Sequence, residues 1–155
     1  MKIHAIAFFE KHGTVIFSES TNKKVKITVN LSGLTPGLHG FHVHEAGNLT
    51  KGCESMCAHF NPYHKTHGCP GMKNRHVGDL GNVVVDQNGN ANYTFFDDVI
   101  KLRGFRCNII GRGLVIHENP DDCGQAQGEQ RQESLKTGNA GKRIACAIIG
   151  YKEMC

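Results

Sequence analysis

From Lys24 to Leu31 the chain reads Lys, Val, Lys, Ile, Thr, Val, Asn, Leu, an unbroken polar and apolar alternation. A period of two is the period of a β-strand with one buried and one wet face, so this stretch commits the chain to a sheet with an inside and an outside. Ile3 to Phe9, Gly13 to Glu19, Val25 to Leu31, Phe41 to Glu45, Asn82 to Val85, Ala91 to Asp97, Gly113 to His117 and Arg143 to Gly150 share the alternating or β-branched character, with Gly and Asn between them. Asp86 to Asn90 (Asp, Gln, Asn, Gly, Asn) separates two apolar runs with residues that tolerate positive φ, which predicts a hairpin turn. The expectation is an all-β chain, a sandwich or barrel of about eight short antiparallel strands.

At 155 residues, without a repeat or a Pro/Ser-rich linker, the chain reads as one domain, 1–155. Its 39% hydrophobic and 21% charged residues are ordinary globular values and exclude a disordered polymer. No apolar run approaches the ~20 residues of a membrane helix. Met1 to Phe9 is a poor leader, because His4 interrupts it and Glu10, Lys11 and His12 follow; a cytoplasmic protein with no membrane partner is expected. The net charge of +4 is spread over Lys23, Lys24 and Lys26, then Lys101, Arg103 and Arg106, then Lys136, Lys142 and Arg143. None forms a basic run, so the first two groups read as solvated strand ends and loops, and nucleic acid is not expected.

What such a domain does not need is 10 His and 7 Cys, the residue types of transition-metal and redox chemistry. Two stretches resist strand assignment, Gly47 to Gly81 and Asn119 to Gly141. Both exceed the ~12–15 residues beyond which a loop is usually functional or disordered. His42 and His44 flank Val43 on a predicted strand, so they leave one face ~7 Å apart along the chain. His59, His67 and His76 follow at eight- and nine-residue steps, with Asp79 three residues later, and His117 closes a distant strand. Three imidazoles and a carboxylate suit zinc, and four imidazoles in a tetragonal set suit copper(II). Dividing the donors as His67, His76, Asp79 and His42, His44, His117 leaves His59 for either site, or for both as a bridging imidazolate.

GFHVHE at 40–45, HFNP at 59–62, RHVGDLGN at 75–82, GRGLVIHE at 111–118 and KTGNAGKRIACAIIG at 136–150 closely resemble the copper,zinc superoxide dismutase family. The resemblance implies a Greek-key barrel with a metal loop and an electrostatic loop. It implies copper on His42, His44, His59 and His117, zinc on His59, His67, His76 and Asp79, and one ion of each per subunit. Asp121 matches the family's carboxylate that accepts hydrogen bonds from one copper and one zinc histidine. Superoxide would be oxidised to dioxygen by copper(II), and a second superoxide reduced by copper(I) to hydrogen peroxide, an antioxidant activity. His59 would be both ligand and acid, and Thr137 and Arg143 would stand at the channel mouth. Cys53 and Cys146 match the family disulfide.

Cys57, Cys69, Cys107, Cys123 and Cys155 are extra; Cys69 follows His67 and Cys123 follows Asp121, which suggests a second bridge between them. The resemblance also implies a homodimer through Ala46 to Gly52, Ile110 to Arg112 and Ile148 to Tyr151, and a copper chaperone as a possible partner. The rival readings are a copper carrier or chaperone-like domain without turnover, and a zinc ribbon on Cys53, Cys57, His59 and Cys69. The ribbon lacks paired CxxC spacing.

Overall fold

The computed structural model describes residues 1–153, so Cys155 lies outside the described residues. The strands are β1 (His4–Phe9), β2 (Gly13–Glu19), β3 (Val25–Leu31), β4 (Gly37–His44), β5 (Thr50–Cys53), β6 (Asp79–Val85), β7 (Ala91–Asp97), β8 (Gly113–His117) and β9 (Arg143–Tyr151), with one helix, α1 (Arg131–Thr137). All except β5 join one antiparallel sheet in the order β6-β4-β8-β9-β1-β2-β3-β7. The crossings from β3 to β4 and from β7 to β8 give the Greek-key pattern. The first and last strands of that order, β6 and β7, are joined by the Asp86–Asn90 turn, where Asp86 accepts from the Asn88 and Asn90 amides. The sheet therefore curls into a nearly closed barrel. Tyr93 bridges the seam, its hydroxyl accepting from the Val84 amide at 3.1 Å and facing the Asn82 carbonyl.

Alternation decides what fills the barrel. Val25, Ile27, Val29 and Leu31 of β3 point in with Phe17, Phe41, Leu114, Ile116 and Ile149, all at 2% exposure or less. Removing a side chain of this size from water contributes roughly 1.5–3 kcal/mol. The odd face of β4 (Phe41, Val43) belongs to this core. The even face (His42, His44) is equally buried, at 0% and 1%, although it points outward. The cover is supplied by the two long segments after Gly47 and after Asn119.

The strand readings hold, with two differences of more than one residue. β4 starts at Gly37 rather than Phe41, and β6 at Asp79 rather than Asn82. Gly40 looks like a strand breaker, but a Cβ there would strike Ala140, so glycine lets the second loop pack against the sheet. The short β5 and helix α1 lie inside the two stretches read as loops.

Candidate metal centre

β4 and β8 pair with His42 opposite Val115 and His44 opposite Gly113. His117, two residues after Val115, therefore shares their outward face. The first loop then returns along the end of β4. The Phe60 amide donates to the Val43 carbonyl and the Glu45 amide to the Ala58 carbonyl, setting His59 opposite His44. Gly78 threads between these strands, its own amide on Phe60 and its carbonyl accepting from Val43; a Cβ there would collide with the Val43 carbonyl. That close approach carries His76 and Asp79 to the other side of the His59 ring.

The result is six buried histidines and a buried aspartate about one ring. His42, His44, His59 and His117 offer nitrogens all within 4.8 Å of one another. On the far side Asp79 Oδ1 lies 3.0 Å from His59 Nδ1, 3.0 Å from His67 Nδ1 and 3.1 Å from His76 Nδ1. Donors about 2.0 Å from a tetrahedral zinc ion stand about 3.3 Å apart, close to these spacings. His42 also comes within reach of this second group, because its ring lies 4.0 Å from that of His59. Its Nε2 is committed to Asp121, however, which leaves a single nitrogen for the first group.

Four of the six rings, His42, His44, His67 and His117, are oriented by a partner on the outer nitrogen, as is usual for metal-binding histidines. Asp121 takes His42 Nε2 at 2.6 Å and His67 Nε2 at 2.8 Å, so one carboxylate spans both groups. His44 Nδ1 donates to the Cys57 carbonyl at 2.8 Å and His117 Nδ1 to the Gly141 carbonyl at 3.0 Å. The opposite nitrogens, His44 Nε2 and His117 Nε2, approach to 3.4 Å. His42 Nδ1 and His67 Nδ1 are buried without a hydrogen-bond partner. Such atoms are costly unless a cation takes them up, so these residues fit a bound metal ion.

Burial, aided by neighbouring imidazoles, holds His42, His44 and His59 below the ordinary histidine range and His117 down to about 4. These rings are neutral at pH 7, the form that binds metal. His67 is the exception. Burial disfavours its cation too, but the hydrogen bond to Asp121 and the charge of the Asp79 carboxylate beside it prevail and hold it up to about 9. Burial likewise opposes the Asp79 carboxylate, and the His59, His67 and His76 rings gathered around it overcome this and keep it ionised.

A cleft of about 710 Å³ opens onto His44, His59 and His117, walled by Lys136, Thr137 and Arg143. His67, His76 and Asp79 do not line it. The Arg143 guanidinium donates to the Cys53 carbonyl at 2.8 Å and the Cys57 carbonyl at 2.6 Å. Thr137 donates to Glu133 Oε1 at 2.8 Å.

Among the described residues there are two disulfides, Cys53–Cys146 and Cys69–Cys123, both as expected from sequence, while Cys57 and Cys107 are free thiols. With Cys53 and Cys69 so bonded, the zinc-ribbon reading fails. Of the remaining histidines, His39 braces the centre, its ring reaching the His117 carbonyl at 2.8 Å, and His64 is exposed.

Four positioning groups escaped the sequence reading. The Asn82 side chain accepts from the Asp121 amide at 2.7 Å and donates to the Asp121 carbonyl. Ser134 and Asn139 each hold Asp122 at 2.7 Å. The Leu135 carbonyl of α1 accepts the His67 amide at 2.8 Å. Gly138, at φ 72°, ends that helix directly after Lys136 and Thr137, a C-terminal signal that could have revealed it.

A family model described as copper/zinc superoxide dismutase (SODC) matches residues 11–149. The chain is 59% identical over 152 residues to a superoxide dismutase [Cu-Zn] of Paramecium bursaria Chlorella virus 1, covering 96% of this chain and 79% of the relative. It is 50% identical over 139 residues to an extracellular superoxide dismutase [Cu-Zn] of Onchocerca volvulus, covering 89% of this chain and 69% of that one. Among solved structures, the crystal structure of the clock protein EA4 superposes with a TM-score of 0.90 at 47% identity, covering 96% of this chain and 94% of that chain.

Proposed function

The chain belongs to the copper/zinc superoxide dismutase family, and from that premise we propose how its own residues carry out the conversion of superoxide to dioxygen and hydrogen peroxide. Copper and zinc are the cofactors of the family, and the donors fit both. His42, His44, His59 and His117 hold copper, and His59, His67, His76 and Asp79 hold zinc, one ion of each per subunit. The observation that carries this assignment is the convergence of two donor groups on one shared ring, His59. When bound, copper supplies a one-electron redox couple, and zinc, which has none, supplies charge and order.

The residues divide the remaining work. Arg143 captures the anion: a guanidinium has five donors, the carbonyls of Cys53 and Cys57 fix its plane, and the rest stay free on the cleft. Lys136 and Lys142 extend that positive field outward. Thr137, tied to Glu133, sets the width of the mouth. His59 lines the cleft and is neutral; its Nδ1 faces His76 and Asp79, so its Nε2 is the nitrogen that would carry a proton to the peroxide product. Asp121 is a positioning residue, holding His42 and His67 in one tautomer each.

Leu49 and Ile148 are 47% and 41% exposed on segments that touch, since Gly47 packs against Gly111 and Ile148. This apolar patch supports a homodimer, tested by sedimentation of the wild type against Ile148→Lys. The burial of the copper donors favours delivery by a copper chaperone over uptake of free ion, which loading rates with and without a copper-donor protein would test.

The central experiment is reconstitution with both metals. One copper and one zinc per chain, with catalysed superoxide decay, is expected. Zinc alone, or copper without turnover, overturns the enzyme reading in favour of a carrier.

A further inference from the structure

Two of the basic groups that look scattered in the sequence meet at one end of the barrel. β1 pairs with β2 so that His4 faces Ser18, and β3 pairs with β7 so that Val25 faces Asp97. The start of β1, the β2–β3 turn and the segment leaving β7 therefore share that end. There a cleft of about 400 Å³ is lined by Lys2, Lys23, Lys24, Lys101 and Arg103, above Val25 and Leu102. Glu19 is the one acid in its wall, and Arg103 already pairs with it at 2.5 Å while donating to the Met1 carbonyl. Lys101 is held in place by the carbonyls of Lys23 and Asp98 at 3.0 and 2.7 Å, bonds that fix its ammonium without neutralising it. Lys26 and the half-exposed Phe96 line an adjoining hollow that shares Lys2 and Glu19. No residue of this cleft lines the channel beside His44, His59 and His117.

Like charges gathered on three separate segments repel one another; Arg103 is answered by Glu19, but no other carboxylate lines the cleft to answer Lys2, Lys23, Lys24 and Lys101. An apolar floor under several ammonium groups, at the lower end of ligand-pocket volumes, matches a compact, multiply charged oxyanion. Ammonium groups suit phosphate as point charges. We propose that this cleft is a binding site for a ligand carrying clustered phosphate groups, remote from the metal centre. Lys24, Lys2 and Lys23 contact the phosphates, Lys101 anchors the deepest one, and Val25 and Leu102 lie under the rest of the ligand.

The test is calorimetric titration of the metal-loaded protein with inorganic tripolyphosphate at physiological ionic strength. Saturable binding of one ion per chain is expected. It should weaken about tenfold in Lys2→Ala/Lys24→Ala, and should persist in Lys11→Ala/Lys51→Ala, which removes the same charge elsewhere. Both variants should keep the dismutation rate and metal content of the parent, which shows them folded. Vesicles containing a bisphosphorylated inositol lipid identify the source. Co-sedimentation displaced by tripolyphosphate assigns the cleft to a headgroup, and soluble binding without co-sedimentation assigns it to a free phosphate ester. Non-saturable binding, or equal weakening by both double variants, overturns the proposal.

Discussion

The two disulfides reach the same metal centre from opposite sides and hold different things. Cys53–Cys146 ties the first loop to β9, and the carbonyls it steadies, at Cys53 and nearby Cys57, accept from Arg143 and His44. Cys69–Cys123 ties loop to loop, and each of its cysteines sits two residues beyond one partner of the His67–Asp121 bond. One bridge serves the copper donors and the substrate side, and the other the zinc side. In the chain-entropy model, closures of 93 and 54 residues contribute about 4.7 and about 4.2 kcal/mol. Thermodynamically the bridges are nearly equivalent; functionally they should not be.

Removing them separately is the strongest challenge to that comparison. Both Cys53→Ser/Cys146→Ser and Cys69→Ser/Cys123→Ser should lose about 4 kcal/mol or more of stability in denaturant unfolding of the metal-free protein. The first should chiefly impair turnover at normal zinc content, and the second should chiefly speed zinc release to a chelator. The same phenotype from both would break the distinction. Asp121→Asn strikes the link itself. It keeps the shape but takes a carboxylate from His42 and His67, and metal affinity should fall about 10–100-fold, measured by competition with a chelator of known affinity.

A smaller effect is expected on the substrate side. Arg143→Ala should lower the rate about tenfold and flatten its dependence on ionic strength, because long-range attraction is screened by salt; an unchanged salt profile would remove Arg143 from anion guidance.

The gentlest probe is pH on the metal-stripped protein. His42, His44, His59 and His117 have depressed values when folded and about 6.5 when unfolded. Below pH 6.5 the unfolded chain therefore binds more protons, and stability falls as pH drops towards 4. His67, held up to about 9, works in the other direction: its contribution is complete below 6.5 and lost as pH rises through 9. Four depressed rings against one raised ring predict a melting-temperature maximum near neutral pH with the steeper fall on the acid side. A maximum below pH 5 would contradict the buried, neutral copper-side rings.

Much of this protein was legible before any coordinates. The alternation of Lys24 to Leu31 required a one-sided sheet, and the HxH spacing of His42 and His44 required two imidazoles on one face of a strand, because strand periodicity is local. The same locality made the long stretches opaque. Nothing around Leu135 shows that its carbonyl waits for the His67 amide, and nothing around Asn82 shows that it holds Asp121, since those partners are brought in by the packing of two loops.

The sequence by itself determined the donors, the strand faces and the cysteines, all of which follow from residue chemistry and a period of two. Only the tertiary structure decided that His42 and His44 are dry although they point outward, that one carboxylate links both donor groups, and that the lysines at 23–24 and 101 share a cleft. Those outcomes depend on which segments the barrel topology sets side by side, and burial, hydrogen bonding and charge repulsion act between neighbours in space.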